Sequence, residues 1–173
     1  MKISGKIKKE SARCLTLVLM LSGITCTAVQ AAVEIETDRT CSVSFVLDAD
    51  IENEFAELKE LSVPVKLYRT ADVDTSGVYT ALEGYEDLGL EEIGSGTTAA
   101  QWEEMAEKAS ETVKELEAEP TAEGILENGE GTVGGLETGM YLVEAAAVIS
   151  PEYEYRFTPY LLALPNNYYG TTG

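Results

Sequence analysis

The stretch that decides the fold is GGLETGMYLVE, residues 134–144, followed shortly by YRFTPYLLALP, residues 155–165. In the first stretch Met140 and Leu142 alternate with Tyr141, which is the period of a pleated, partly buried strand. The second stretch is aromatic, aliphatic and nearly uncharged, as is typical of a strand buried on both faces. We therefore predict two long strands near the centre of a β-sandwich, with the rest of the chain packed on them.

The first 32 residues have the order of a secretory signal peptide. Basic residues precede an apolar run over residues 14–29, and Gln30, Ala31 and Ala32 follow it. The run is interrupted by polar residues and is shorter than the ~20 residues that a spanning helix needs, so a membrane anchor is the less favoured alternative. We expect cleavage after Ala31 or Ala32, secretion, and no membrane insertion of the mature chain.

The predicted mature chain is strongly acidic and keeps one cysteine. The full chain has 12 Lys and Arg and 31 Asp and Glu; five of the basic residues and one acidic residue lie in the leader, so 7 and 30 remain, a net charge of −23. Such a surface repels nucleic-acid phosphates and anionic lipids, so neither is an expected partner. The absence of histidine excludes histidine-based acid–base and zinc sites. Because Cys41 alone cannot close an internal disulfide, stability must come from the core.

Three shorter strands are predicted before the central pair. An acidic lead segment, residues 33–40, precedes alternating apolar residues at 41–47, 63–69 and 78–82, and this alternation predicts strands. The charged connection over residues 51–61 has room for a helical turn. Further along, Asn128-Gly129 is a strong hairpin signal.

Residues 98–119 change to a helical period. Thr98 and Gln101 predict a capping box, and Pro120 ends the segment. Apolar residues recur at three- and four-residue steps and form one stripe: Trp102, Met105, Ala106, Ala109, Val113 and Leu116. We expect this stripe to pack on the sheet; a sugar- or partner-binding face around Trp102 is the alternative.

The order of these segments resembles a known family. Four segments carry the resemblance: LYRTADVD at residues 67–74 with Gly77 and Tyr79, WEEMA at 102–106, GLETGMYLV at 135–143 and FTPYLLALP at 157–165. They are similar to the "LYKVADV…G.Y" element, the inserted helix and the "GL..GLYLV" and "F.PFLVSLP" strands of Gram-positive SpaA-like and Cna B-type pilin subunits. The similarity runs over nearly all of residues 41–167, and residues 168–173 form a tail.

The resemblance implies both a fold and a role. The fold is mainly β, an Ig-like, Cna B-type β-sandwich with one inserted amphipathic α-helix. The role is that of a non-catalytic fimbrial or adhesin module in the cell wall or a fimbrium. Its partners would be other pilin or surface subunits, or a host or extracellular ligand. Two alternatives remain open: a secreted calcium- or glycan-binding module and, less favoured, a hydrolase with two carboxylates converging in a cleft.

The resemblance also implies a sortase signal, a pilin-linking lysine and a further strand after residue 165, which the sequence does not contain. We therefore expect a chain truncated at its C-terminus relative to that family. The missing strand would leave an unpaired sheet edge beside residues 155–163. We expect that a strand of another chain can complete this edge by β-augmentation.

The same resemblance implies one candidate covalent site. Many of these domains form a Lys–Asn amide crosslink beside a carboxylic acid, because burial raises the pKa of the acid and lowers that of the lysine. Glu144 matches the acid position, Lys66 is a substitute amine, and Asn166 or Asn167 is a substitute acceptor. The alternative is that Glu144 is an ordinary carboxylate at a strand edge.

A second candidate site is a calcium loop that begins at residue 72. Hard carboxylate and hydroxyl oxygens at positions one, three, five, nine and twelve, with a glycine at six, have the spacing of a calcium-binding loop. The candidate ligands are Asp72, Asp74, Ser76, Thr80 and Glu83. The alternative is a solvated hairpin turn, because the flanking segments are predicted strands.

Overall fold

The computed structural model describes residues 35–47 and 56–165, together with the backbone of three short strands nearer the start of the chain. These three strands are β1 (Lys2–Lys8), β2 (Ser11–Arg13) and β3 (Leu17–Val18). Asn166 and Asn167 lie outside the described residues, as do Ala31 and Ala32.

The described part of the chain is mainly β, with antiparallel sheets. The remaining elements are β4 (Cys41–Val46), α1 (Ala56–Lys59), β5 (Val63–Val73), β6 (Tyr79–Ala81), 3-10 turns at Glu86–Leu88 and Leu90–Glu92, α2 (Ala99–Glu115), β7 (Ala122–Leu126), β8 (Glu130–Leu136), β9 (Gly139–Ala145), β10 (Val148–Ile149), β11 (Tyr153–Thr158) and β12 (Tyr160–Leu164). The strands predicted at residues 41–47, 63–69, 78–82 and in the first central stretch are confirmed, as is the helical turn between residues 51 and 61.

The central sheet has the order β12-β9-β5, and the far side of β5 pairs with β7 along its first half and with β6 along its second. Strands β4 and β8 form a second sheet. The third sheet runs β10-β11-β1-β2, with β3 also paired to β1. The β7–β8 hairpin connects the first two sheets through Asn128 and Gly129, both at positive φ, which confirms the predicted turn.

The prediction of one long strand over residues 155–165 is wrong. The chain forms β11 in the third sheet, breaks at Pro159, and continues as β12 beside β9 in the central sheet. Proline has no N–H for a sheet ladder, so it marks the point where the chain changes sheets. Burial on both faces holds for β12, whose residues alternate between the two cores described next.

The two faces of the central sheet bury different cores. We call the first the strand-side core, since it packs the central sheet against β4, β8 and β11; its members include Val43, Phe45, Leu47, Val63, Val65, Leu67, Tyr141, Val143, Tyr155, Leu162 and Leu164. We call the second the helix-side core, since α2 and the two 3-10 turns cover it; its members include Tyr68, Tyr85, Leu88, Leu90, Ala106, Ala109, Val113, Met140 and Leu142.

The inserted helix begins as predicted but ends earlier. The Thr98–Gln101 capping box is present, whereas α2 stops at Glu115 instead of near residue 119. Glu117 takes a left-handed φ of 48°, and the N–H groups of Glu117 and Ala118 donate to the carbonyls of Lys114 (3.3 Å) and Val113 (3.0 Å). This is a Schellman ending, which turns the chain before Pro120 is reached. Leu116 therefore lies beyond the helix and is 52% exposed instead of completing the apolar stripe.

The acidic lead segment is partly docked on the domain. Ile35 is buried, and its N–H donates to the carbonyl of Thr75 at 2.9 Å. The Thr138 hydroxyl donates to the carbonyl of Thr37 at 3.1 Å. Part of residues 33–40 therefore packs against the hairpin loop and the start of β9.

The outer edge of β11, which we expected to be open, is covered by the chain itself. Strand β1 pairs antiparallel with β11 from Lys8 opposite Tyr153 to Lys2 opposite Thr158. In the described residues β12 pairs with β9 alone. Across residues 35–47 and 56–165 there is no helix with both the length and the apolar character to cross a lipid bilayer.

Candidate functional site

The helix-side face of the central sheet carries a row of three charges. Lys66 on β5 is in register with Glu123 on β7 and with Glu144 on β9. The Lys66 Nζ atom lies 3.8 Å from a Glu123 carboxylate oxygen, and the lysine side chain is 51% exposed. We call these three residues the charged row. An exposed pair of this kind contributes ~0–1 kcal/mol to stability.

Glu144 connects the charged row to the helix-side core. The Ser110 hydroxyl of α2 donates to a Glu144 carboxylate oxygen at 2.5 Å. Burial first, and then the negative charge of Glu144, raises the pKa of the Tyr68 and Tyr85 hydroxyls. Glu144 thus places a negative charge where the apolar core ends and water begins.

The structure brings together two of the residues named for the crosslink. Lys66 and Glu144 face each other across β5 and β9, as the crosslink hypothesis requires of these two residues. The proposed acceptors, Asn166 and Asn167, lie outside the described residues. Amide formation needs an apolar enclosure that desolvates the amine, whereas the Lys66 side chain is half exposed. The crosslink therefore stays a prediction.

The candidate calcium loop is a tight hairpin between β5 and β6. Asp74 accepts hydrogen bonds from the Ser76 N–H (2.8 Å), the Ser76 hydroxyl (2.6 Å) and the Val78 N–H (2.9 Å). These hydrogen bonds, led by that from the Ser76 side chain, hold the pKa of the Asp74 carboxyl below its usual range. Gly77, at φ 87°, closes the turn. The Asp74 carboxylate and the Ser76 hydroxyl thus form hydrogen bonds within the turn itself.

The other candidate calcium ligands are spread along the hairpin. Asp72 pairs with Arg69 at 2.8 Å, Thr80 lies opposite Asp72 on β6, and Glu83 is exposed beyond the strand. Within residues 35–47 and 56–165 there is no group of three or more acidic or cysteine side chains placed to hold a metal ion. Calcium binding by this loop stays a prediction.

Arg69 is a structural residue that the sequence analysis missed. Its guanidinium contacts Asp72 (2.8 Å) and Glu137 (3.1 Å) and donates to the carbonyl of Thr138 at 2.6 Å, while its side chain is only 20% exposed. It thereby ties β5 to the turn before β9. The available signal was an arginine in phase with the apolar side chains of β5, since a core-facing charge needs partners.

A second missed cluster joins α1 to the third sheet. The hydroxyls of Tyr155 and Ser150 both donate to the same carboxylate oxygen of Glu57. Burial, and then the hydrogen bond and charge of Glu57, raises the pKa of Tyr155 far above its ordinary value. Because Glu57 and Tyr155 are far apart in sequence, no local pattern could reveal the contact.

Two surface depressions bear on the ligand-binding and hydrolase alternatives. The larger, of about 450 Å³, is a mostly apolar groove between the start of α2, including Trp102 and Glu103, and the Thr158–Ala163 segment. The smaller, of about 250 Å³, is lined in part by Glu92, Glu104 and Lys108, whose side chains are exposed. Two carboxylates therefore share an exposed surface, which is unlike the enclosed pair that glycoside hydrolysis uses.

Comparison of the chain with models of known protein families, with curated proteins and with solved structures gives no match.

Proposed function

We propose that this chain is an exported, non-catalytic module of a cell-surface or fimbrial assembly, with the Ig-like β-sandwich of SpaA-like and Cna B-type pilin subunits. One observation carries the proposal. The three strand-forming segments that carry the resemblance, at residues 67–74, 135–143 and 157–165, are far apart in sequence and yet supply the three adjacent strands β5, β9 and β12.

The hydrogen bonds of three buried or partly buried polar groups support the same role. Arg69 holds a turn, Glu57 holds a helix to a sheet, and Ser110 holds a helix to Glu144. Each of these groups satisfies a partner within the fold instead of converging with the others on an enclosed cavity. Such an arrangement favours a rigid building block over a catalytic site.

Localisation tests the proposal. We expect that the full chain, expressed with an epitope tag in a Gram-positive host, is found in the envelope or the medium with its N-terminus at Ala32 or Val33. A control variant with Leu17→Arg and Leu21→Arg, which breaks the apolar run of the leader, should stay in the cytoplasm. Cytoplasmic full chain that retains the leader would contradict export.

A glycan-binding module is the second candidate, because the half-buried Trp102 lines the 450 Å³ groove. Trp102 is the chain's only tryptophan, so its fluorescence reports this groove alone. Titration with a panel of cell-wall and host oligosaccharides should shift or quench the emission if sugars stack on the indole ring. An unchanged spectrum across the panel rejects this candidate and leaves the structural role untouched.

A further inference from the structure

Strand β1 occupies the outer edge of β11. Because β1 lies in the predicted leader, the chain is predicted to lose it. On its inner side β11 pairs with β10 only at Glu154 and Tyr155. On its outer side β1 pairs along the whole strand. Removal of the leader would leave the N–H and C=O groups of Tyr153–Thr158 on that side without a ladder partner, and such an edge accepts another strand.

We propose that this outer edge, which we call the acceptor edge, binds a lysine-rich extended segment of a neighbouring envelope protein. In the full-length chain, strand β1 occupies this edge. The inference rests on the proposed function only in that the leader is removed during export. It commits to antiparallel pairing, because β1 pairs in that direction.

Charge identifies the class of partner. The segment seated on the edge, KISGKIK, has three lysines in seven residues, whereas the mature domain has a net charge of −23. Glu152 and Glu154 lie at the edge itself, with Arg156 paired to Glu154 at 2.8 Å. A basic strand is therefore attracted to this surface and an acidic one is repelled.

A second copy of the mature chain does not fit this description. Its seven basic residues are scattered, and no seven-residue window after residue 32 contains more than two. Two separate stretches reach two: Lys66 and Arg69 lie on β5 inside the central sheet, and Lys108 and Lys114 lie on α2. The strand donor must therefore be a different polypeptide.

The register adds one feature to the partner. Pairing between β1 and β11 shifts between Ile3 and Gly5, so one extra residue is accommodated there. Glycine is common at such bulges because its backbone adopts the required conformations freely. We expect the natural donor to have a glycine or a similar irregularity within its lysine-rich strand.

The test begins with the folded full chain, carrying a specific protease site between Ala32 and Val33. After cleavage and removal of the leader fragment, a fluorescent peptide of residues 1–10 should bind with micromolar affinity by anisotropy, whereas the uncleaved chain should not bind it. A matched peptide with Lys2, Lys6 and Lys8 replaced by Glu should bind at least tenfold more weakly. A peptide with Ile7→Pro should also lose affinity, because proline removes a ladder donor.

Hydrogen exchange locates the binding. Amides of residues 153–158 should be protected in the uncleaved chain, exchange faster after cleavage, and regain protection when the peptide is added. In the uncleaved chain, Ile7→Pro should speed exchange at these residues and leave α2 unchanged, and this readout does not depend on the cleaved domain staying folded. Unchanged exchange in this variant overturns the proposal.

Other outcomes also overturn it. Equal binding of the lysine and glutamate peptides would show that charge does not select the partner. Self-association of the cleaved chain without peptide would show that a second copy of the chain occupies the edge. Failure of export is a separate result. If the chain stays in the cytoplasm but its acceptor edge still binds the peptide in place of β1, the proposed location is wrong and the acceptor edge is supported.

Discussion

The two faces of the central sheet are held by different means. The strand-side core joins strands from all three sheets and is almost wholly apolar. The helix-side core packs one helix and two turns on strands β5, β6, β9 and β12, and it carries polar ties: Ser110 to Glu144, Lys108 to the carbonyl of Asp87, and the Thr70 hydroxyl to the carbonyl of Met140. From this difference we expect the strand-side core to contribute more to the free energy of unfolding than the helix-side core does.

The largest expected effect separates the two faces directly. Phe45→Ala in the strand-side core, where Phe45 is 1% exposed, should lower the free energy of unfolding by about 3–5 kcal/mol through lost burial and a cavity. Trp102→Ala on the helix side should cost about 2 kcal/mol, because Trp102 is partly exposed to its groove. Urea unfolding measures both changes. Equal losses would mean that the helix-side core is as important to stability as the strand-side core.

Alkaline pH should affect the strand side first. The pKa of Tyr155 is raised by burial and by Glu57, so the folded chain keeps this proton while the unfolded chain releases it above pH 10. The unfolded state then binds fewer protons, so stability is full below about pH 10 and falls as the pH rises further. Tyr155→Phe should remove more of this loss than Tyr85→Phe on the helix side. Urea midpoints at pH 8, 10 and 11 measure it, and equal slopes in the two variants would contradict the assignment.

The polar margin of the helix side is tested at Ser110. Ser110→Ala leaves Glu144 without its hydroxyl donor from α2 and should cost about 1.5 kcal/mol, as hydrogen bonds to charged groups do. Thr112→Ala is the matched control, since its hydroxyl donates to the Lys108 carbonyl of the same helix and not to the sheet. It should change stability by less than about 0.5 kcal/mol. Equal effects in the two variants would show that Ser110 acts through the helix alone.

The helix-side elements were largely predictable because their signals are local. The Thr98–Gln101 capping box and the stripe from Trp102 to Val113 lie within one segment, and the structure confirms both. The end of α2 was missed because Glu117 supplies the left-handed residue that glycine usually supplies. A sequence pattern that relies on glycine to mark a helix end misplaces that end when another residue takes the left-handed conformation.

The strands were predictable in kind but not in their pairings. The alternation in β4, β5 and β9 indicated strands, yet only the register between β5 and β9 places Lys66 opposite Glu144. Pro159 has no N–H to donate to a sheet ladder, and this local signal marks the break between β11 and β12 within residues 155–165. Contacts such as Ser110 to Glu144, 34 residues apart, depend on the packed fold and leave no trace in local periodicity.

A defect in the strand-side core gives a smaller effect of opposite sign. The Tyr160 hydroxyl is buried with no hydrogen-bond partner in the described part of the chain, and burial raises its pKa. Tyr160→Phe should therefore stabilise the fold by about 1 kcal/mol, because an unpaired buried hydroxyl is costly. Tyr141→Phe is the matched control: it removes a satisfied hydroxyl that donates to the Glu137 carbonyl at 2.9 Å, and should cost about 1 kcal/mol. A loss of stability in Tyr160→Phe would show that its hydroxyl is satisfied.

The smallest effect lies at the end of α2. Glu117 is held at φ 48°, which is unfavourable for a residue with a Cβ atom, so Glu117→Gly should relieve that strain at the cost of a more flexible unfolded chain, a net gain of about 0.5 kcal/mol. Glu111→Gly, at an exposed helical position, should instead lose about 1 kcal/mol. Thermal and urea unfolding of the pair measure both signs. If both variants are destabilised, Glu117 contributes more than its strained backbone, and the helix side owes part of its stability to that side chain.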